Sequence, residues 1–219
     1  MLRYAHAAMM AAIASAGSGV DYTQNGKNWP DTDALCGNGE EQSPIDLSTM
    51  EFSMSGDMQL NGYAYRDITL AKDADALHLA KDGNVKVDLT DGEFHLNFAD
   101  GSKSVFDILQ FHFHAPSEHT VDGNFYDLEV HFVHLYKDTG DLGAVVGVFF
   151  DRVAGGEYEN DFLTELWDGG DEVNVNVASF LSNIDFSEYW NYPGSLTTPP
   201  CTEGIKWTVI KDVQPISEA

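Results

Sequence analysis

The chain has 219 residues, 43% of them hydrophobic, and carries 36 acidic residues against 11 lysines and arginines, for a formal net charge of −25. A chain of this length and composition buries enough surface for a large core, and one globular domain is the simplest expectation. An acidic surface of this strength repels nucleic acid and anionic membranes, so neither is expected as a partner.

The excess of acidic residues also bears on the conditions in which the chain folds. Like charges repel each other within a compact structure, and dissolved salt screens this repulsion. Adaptation to a saline setting, which would make the protein halotolerant, is one interpretation of the charge, and simple solubility is the other. The sequence leaves a monomer and a homodimer equally open.

The N-terminal residues differ in composition from the rest of the chain. Arg3 supplies a positive charge, residues 7–14 are an unbroken apolar run, and residues 14–16 (Ala-Ser-Ala) have the small-x-small form of a cleavage site. This pattern is typical of a short secretory signal peptide, and the run is too short to span a bilayer. We expect residues 1–19 to be a signal peptide or an N-terminal extension, with an alanine-rich helix as the alternative, and residues 20–219 to form one secreted or periplasmic domain.

Short strands separated by turns are predicted for residues 51–109. Residues 85–89 and 94–98 alternate between apolar and polar side chains, as strands with one buried face do. Asp91-Gly92 lies between them and predicts a hairpin, and Asp100-Gly101 predicts a second turn.

Alternating histidines begin directly after these strands. Side chains of a strand point to opposite faces in turn, so Gln110, His112 and His114 share one face, and Phe111 and Phe113 share the other. One buried histidine in a strand is usually a hydrogen-bonded core residue. Two on the same face indicate a metal site more strongly.

A third histidine belongs to the next predicted strand. Turn-forming residues at 115–117 and 122–124 separate the strands, and an antiparallel return would bring His131 beside the first two imidazoles. Three imidazoles with an open fourth position suit catalytic zinc. Glu129 and Val133 share the face of His131, where Glu129 is placed to orient an imidazole, whereas His134 faces the other way and is predicted to be structural.

Three later segments complete the predicted elements. Residues 143–150 form a continuous apolar run, which indicates a strand buried on both faces. Residues 161–167 have apolar positions at helical spacing and predict a short surface helix. Residues 195–200 end in two prolines, which rule out a central strand and favour a rigid loop.

Four sequence blocks in order together resemble the α-class carbonic anhydrases, in particular the secreted bacterial and algal members. The blocks are QSPIDL at 42–47, QFHFHAPSEHTV at 110–121, EVHFVH at 129–134 and YPGSLTTPP at 192–200. The resemblance implies a mainly β (α+β) fold, with a large, twisted, mostly antiparallel central sheet and a few short surface helices.

The resemblance also implies an activity and a cofactor. The activity is reversible hydration of CO2 to bicarbonate and a proton by zinc-bound hydroxide, with weak esterase activity as a side reaction. The cofactor is Zn2+, held by His112, His114 and His131. Thr197 would accept a hydrogen bond from the hydroxide and donate its own proton to Glu118, which only accepts when it is ionised.

The remaining residues that the resemblance assigns surround this centre. Gln110 and Glu129 would hold the ligand imidazoles. The substrate pocket would be formed by Val133, Val145, Leu196, Thr198 and Trp207. Of these, Val133 is placed on the metal-facing side by strand alternation as well.

Two cysteines and one missing histidine have a specific interpretation in this family. Cys36 and Cys201 each lie beside a family block, and related secreted members place a disulfide here; two unrelated buried thiols are the alternative. The histidine that commonly carries protons after an Asn-Gly pair is missing near Gly83 and Asn84. Transfer to buffer, or a substitute such as His78, would have to replace it.

Two other functions are compatible with parts of the sequence. One is an acidic binding or biomineral-matrix protein that is related to carbonic anhydrase and in which catalysis is incidental. The other is a zinc hydrolase of a different class, which would need a general base such as that of a His-Glu-x-x-His pair, and no such pair occurs.

Overall fold

The structure of the chain is a computed structural model, and it describes most of the segment that carries the family blocks. The described residues are 23–24, 26–47, 58–61, 66–69, 86–89, 92–97, 103–153, 160–168, 172–175 and 177–217. The predicted signal peptide at 1–19, His78 and the Gly83-Asn84 position lie outside them.

Within the described residues, strands dominate and the helices are short. The strands are β1 (Met58–Asn61), β2 (Arg66–Thr69), β3 (Lys86–Asp88), β4 (Glu93–Asn97), β5 (Lys103–His114), β6 (Leu128–Tyr136), β7 (Leu142–Arg152), β8 (Glu172–Val175), β9 (Tyr189–Ser195) and β10 (Glu203–Ile216). The helices are α1 (Trp29–Thr32), α2 (Leu35–Asn38), α3 (Asp161–Asp168) and α4 (Val177–Ser182).

Eight of these strands form one large mixed sheet. Seven follow the order β1-β4-β5-β6-β7-β10-β9, β3 also pairs with β5, and β2 and β8 form a separate pair. Strands β7 and β10 are parallel, and every other pair that the structure describes is antiparallel. The predicted fold class, a mainly antiparallel sheet with a few short helices, is confirmed.

A bulge in β5 decides which side chains face the metal site. Phe106 and Ile108 pack into the same apolar core as Phe111 and Phe113, although strict alternation would separate even positions from odd ones. The pairing of β5 with β6 shifts register at Leu109, which joins a second apolar cluster on the opposite face. One extra residue reverses the faces of everything after it. The polar side chains at even positions beyond Leu109 therefore point away from the apolar core that contains Phe106, Phe111 and Phe113, which we call the phenylalanine core.

Two further elements agree with the sequence. Strand β7 is buried on both faces over residues 143–150, as its continuous apolar run predicts. Helix α3 buries Phe162 and Leu166 against the phenylalanine core and exposes Thr164 and Glu165. Its apolar stripe thus covers one side of the sheet.

The hairpin predicted at Asp91-Gly92 is wrong. Strands β3 and β4 both pair antiparallel with β5, so they run in the same direction along its edge and do not pair with each other. The Gly92 carbonyl instead accepts a hydrogen bond from the amide of Ile108, beside the bulge. Strands β4 and β5 pair antiparallel, and Asp100-Gly101, where the second turn is predicted, lies outside the described residues.

No helix within the described residues combines the length and the apolar character that crossing a bilayer requires.

Candidate metal centre

Strand register brings the three predicted histidines together. His112 of β5 lies directly opposite His131 of β6, and His114 lies opposite Glu129. The ring centroids are 4.9 Å apart for His112 and His114, 5.3 Å for His112 and His131, and 4.5 Å for His114 and His131. One nitrogen of each ring lies within 4.8 Å of the others, close enough to bind a single ion. The antiparallel return predicted for His131 is present.

Neighbouring side chains determine which nitrogen of each ring faces the centre. The Nδ1 atom of His112 is 2.9 Å from the Oε1 acceptor of Gln110, which leaves Nε2 with its lone pair available. The Nε2 atom of His131 is 2.9 Å from Glu129 Oε1, which leaves Nδ1 available. The two rings would therefore use different nitrogens as ligands.

The third ring supplies the clearest test of whether a metal fits. The Nδ1 atom of His114 lies 3.3 Å from Glu118 Oε1, and its buried Nε2 has no hydrogen-bond partner among the described residues. A buried polar atom without a partner is costly, so such an atom needs an explanation. A metal ion between the rings would satisfy it, and the donor set of three imidazoles fits zinc.

The protonation state of the three rings also suits a metal. Burial lowers the pKa of His112, His114 and His131, and the repulsion that a protonated His131 would exert lowers the pKa of the other two further. Glu129 partly opposes this effect at each ring. The rings are therefore neutral at physiological pH, which is the form that coordinates a metal.

Glu129 is the polar centre beneath these rings. It is fully buried, and its Oε2 accepts hydrogen bonds from the amides of Glu118 at 2.8 Å and His119 at 3.0 Å. Its Oε1 accepts from His119 Nδ1 at 2.7 Å and lies 2.9 Å from His131 Nε2. Burial alone would raise the pKa of Glu129, but the charges and hydrogen bonds of His119 and His131 hold it well below the usual range. Glu129 is therefore an ionised carboxylate that orients the imidazole of His131.

His119 is the residue of this site that sequence reasoning missed. It is fully buried, and because its Nδ1–H donates to Glu129, its Nε2 accepts from the hydroxyl of Tyr192 at 2.6 Å. Ser43 Oγ lies 2.9 Å from Tyr192 Oη, and the amide of Ser195 donates to Ser43 Oγ at 3.1 Å. A continuous hydrogen-bonded chain thus links Glu129 to two distant segments, strand β9 and the segment of Ser43. The one sequence signal for His119 is that it lies in the same block, residues 110–121, as His112 and His114.

The loop after β9 reaches the carboxyl group of Glu118, which lies beside His114. Thr197 is buried, and its hydroxyl hydrogen-bonds to the carboxyl of Glu118. Burial raises the pKa of Glu118 to about 8, the charge of Glu129 adds to this, and the hydrogen bond from Thr197 opposes it. The structure thus brings together the two residues that the resemblance assigns to orienting the reactive group.

Comparison with known proteins places this arrangement in a family. The family model for eukaryotic-type carbonic anhydrase matches residues 24–219. The chain belongs to this carbonic anhydrase family. A carbonic anhydrase of Nostoc sp. is 36% identical over 192 residues, covering 81% of this chain and 65% of the relative. Alpha carbonic anhydrase 4 of Arabidopsis thaliana is 37% identical over 190 residues, covering 84% and 65%.

A solved structure agrees with the sequence relatives. The alpha-carbonic anhydrase of Photobacterium profundum superposes with a TM-score of 0.69 at 31% identity, and the match covers 91% of this chain and 88% of that one. This chain spans 65% of the length of the two curated relatives, just under two thirds.

The three histidines are bordered by an apolar wall. Val133 lies opposite Val145, which lies opposite Trp207, across three adjacent strands, and all three are buried in one cluster. The Trp207 ring centroid is 4.8 Å from that of His131. Leu196 and Thr198, the other two predicted pocket residues, are half-buried and flank Thr197 on its loop.

A disulfide fastens the Thr197 loop to the N-terminal segment. Cys36 is bonded to Cys201, as the resemblance implies. The amide of Cys201 donates to the carbonyl of Thr198 at 2.8 Å, and the side-chain amide of Gln42 donates to the carbonyl of Cys201 at 3.1 Å. The covalent bond therefore holds the chain only a few residues from Thr197.

Proposed function

We propose that the protein is a zinc enzyme that catalyses the reversible hydration of CO2 to bicarbonate and a proton. The proposal rests on one observation above all: three neutral imidazoles, two of them buried and one half-buried, converge, and the buried Nε2 of His114 has no hydrogen-bond partner among the described residues. That this arrangement occurs in a chain of the carbonic anhydrase family supports the choice of reaction.

His112, His114 and His131 would hold the zinc ion. Zinc with three imidazole ligands and an open fourth position lowers the pKa of a coordinated water to about 7, which makes hydroxide available at neutral pH. Gln110 and Glu129 would keep two of the rings in the required tautomer and orientation, since each occupies the ring nitrogen that faces away from the centre.

Thr197 and Glu118 would orient the attacking group. An ionised carboxylate only accepts hydrogen bonds, so a hydrogen bond between these residues makes the Thr197 hydroxyl the donor and leaves its oxygen free to accept. A bound cation would favour the ionised form of Glu118 against the burial that raises its pKa.

The apolar wall would receive the substrate. CO2 is small and has no net charge. Val133, Val145 and Trp207 offer it an apolar surface that binds water only weakly. Leu196 and Thr198 would complete the pocket from the Thr197 loop. Weak hydrolysis of activated esters at the same centre is part of this proposal.

The disulfide supports a location outside the reducing cytosol. Disulfides persist in oxidising compartments such as the periplasm and the extracellular space. Since Cys36 and Cys201 are bonded, we propose that the protein is secreted or periplasmic. Tolerance of high salt remains a prediction from the charge of −25.

Metal content and catalysis test the proposal together. Purified full-length protein should contain zinc in a 1:1 ratio and hydrate CO2 in a stopped-flow indicator assay, and a chelator should abolish both. His112→Ala should lose tight zinc binding and activity, because two imidazoles remain where three are needed. His95→Gln is the matched control, since His95 lies on β4 and contacts Glu93. Protein that holds no zinc, or His112→Ala with full activity, would refute the proposed function.

A further inference from the structure

Lys86 lies beside the metal centre on the edge of the sheet. In the pairing of β3 with β5, Lys86 is directly opposite His112. Directly opposed residues of an antiparallel pair project on the same face with their Cβ atoms about 5 Å apart. The half-buried Lys86 side chain therefore starts on the face that carries the three imidazoles.

The charge of Lys86 reaches this centre. The pKa of His112 is lowered by burial, by the repulsion that a protonated His131 would exert and then by the positive charge of Lys86. The ionised carboxylate of Glu129, 2.9 Å from His131 Nε2, contributes the opposite sign. Lys86 thus adds a cation on the β3 side of a centre whose ionised carboxylate, Glu129, belongs to β6.

This placement matters because the substrates differ in charge. CO2 is neutral, but bicarbonate is an anion, and a chain with a net charge of −25 repels anions over most of its surface. A fixed cation near the centre opposes that repulsion where an anion has to bind.

We propose that Lys86 attracts bicarbonate and other small monovalent anions to the metal centre and so sets their affinity. The inference rests on the proposed function, because it assumes a metal held by the three histidines. The equilibrium between CO2 and bicarbonate fixes the ratio of the two kcat/KM values, so a substitution cannot change one of them alone. Anion binding at equilibrium is therefore the direct measurement.

The experiment uses full-length protein in which cobalt(II) occupies the centre, so that its visible absorption spectrum reports anion binding without turnover. Thiocyanate is titrated into wild type, Lys86→Gln, Lys86→Met and Lys86→Arg at ionic strengths of about 0.1 M and about 1 M, where the Debye length is about 10 Å and about 3 Å. Lys137→Gln is the matched control. It makes the same change in net charge just beyond β6, roughly 20 Å along the strand from His131.

Lys86→Gln and Lys86→Met should each weaken thiocyanate binding by about 3- to 10-fold at the lower ionic strength and by less at the higher one. Lys86→Arg should stay within about 2-fold of wild type, because it keeps the charge, and Lys137→Gln should not differ. Cobalt uptake by all of these proteins, together with equal thiocyanate affinity in wild type and both neutral variants, would overturn the role of Lys86 alone. Failure of wild type to take up cobalt would overturn both this inference and the proposed function.

Discussion

Strands β5, β6 and β7 present two faces that are built on different principles. On one face, Phe111, Phe113 and Phe132 pack with helices α3 and α4 into a core held by non-directional apolar contacts. On the other face, His112, His114 and His131 stand over the fully buried carboxylate of Glu129, with hydrogen bonds that each require a particular partner. The first face tolerates exchange of similar shapes, whereas the second depends on atoms from distant parts of the chain.

Removing bulk from the apolar face should have the largest effect on stability. Phe111→Ala leaves a cavity where the ring meets Phe113, Phe132 and Phe162, so we expect the free energy of unfolding to fall by about 3–5 kcal/mol. Chemical denaturation measures this loss. Phe125→Ala is the control, since that ring is 60% exposed and its removal should cost less than about 0.5 kcal/mol.

The same variant sharpens the comparison between the faces. The folded fraction of Phe111→Ala should bind zinc about as tightly as wild type, because the ring points away from the imidazoles. A fall in zinc affinity that matches the fall in stability would show that the two faces do not act separately.

The sequence predicted each face to a different extent. Alternation alone separated His112 and His114 from the phenylalanines and placed Val133 with His131, because the side-chain direction along a strand repeats every two residues. Alternation did not reveal the bulge at Leu109, which keeps Phe106 in the same core as Phe111. A bulge leaves little trace in composition, and it depends on how neighbouring strands pair.

Contacts between distant segments are the second feature that could not be predicted from the sequence. The hairpin predicted at Asp91-Gly92 followed from turn chemistry, but pairing of both flanking strands with β5 overrode it. His119 could have been singled out only by asking which group Glu129 satisfies besides His131. Its other partner, Tyr192, comes from a segment 73 positions away, and no local pattern connects the two.

Neutralising the carboxylate should have the largest effect on the polar face. Glu129 faces four N–H groups with two acceptor oxygens, and Glu129→Gln replaces one oxygen by a donor, so donors would face each other. We expect zinc affinity, measured by competition with a chelator, to fall by about 10- to 100-fold.

The exposed Glu165→Gln on α3 is the matched control for this change and should bind zinc as wild type does. Equal zinc affinity in Glu129→Gln and wild type would mean that His131 is oriented by packing alone and not by the carboxylate.

His134 tests whether the apolar face tolerates a titratable group. Burial lowers its pKa to about 3, and contacts with the backbone of Phe132 and Ala144 only partly oppose this. The unfolded chain binds a proton here below about pH 6.5, whereas the folded protein does so only near pH 3, so the free energy of unfolding falls as the pH drops through this window.

Between pH 7 and pH 5, His134 should lower the free energy of unfolding by about 2 kcal/mol, at about 1.4 kcal/mol per pH unit below 6.5. His134→Gln removes this titrating group. Denaturation at both pH values should therefore show a smaller fall in the free energy of unfolding for the variant than for wild type. The titrating groups that the two proteins share affect both equally. Identical losses would place His134 in contact with water when the protein is folded.

Tyr192→Phe makes the smallest change and separates two roles of the hydrogen-bonded chain behind Glu129. It removes the hydroxyl that donates to His119 Nε2 and contacts Ser43 Oγ, and it should lower the free energy of unfolding by about 1 kcal/mol. Tyr136→Phe, at the half-buried end of β6, is the control for the loss of a phenol hydroxyl. If the chain orients the metal ligands, Tyr192→Phe should also weaken zinc binding a few-fold, because the His119 ring would be free to turn away from Glu129. If zinc affinity stays the same while stability falls, the orienting part of the polar face ends at Glu129, and the residues beyond it serve to fasten distant segments to the sheet.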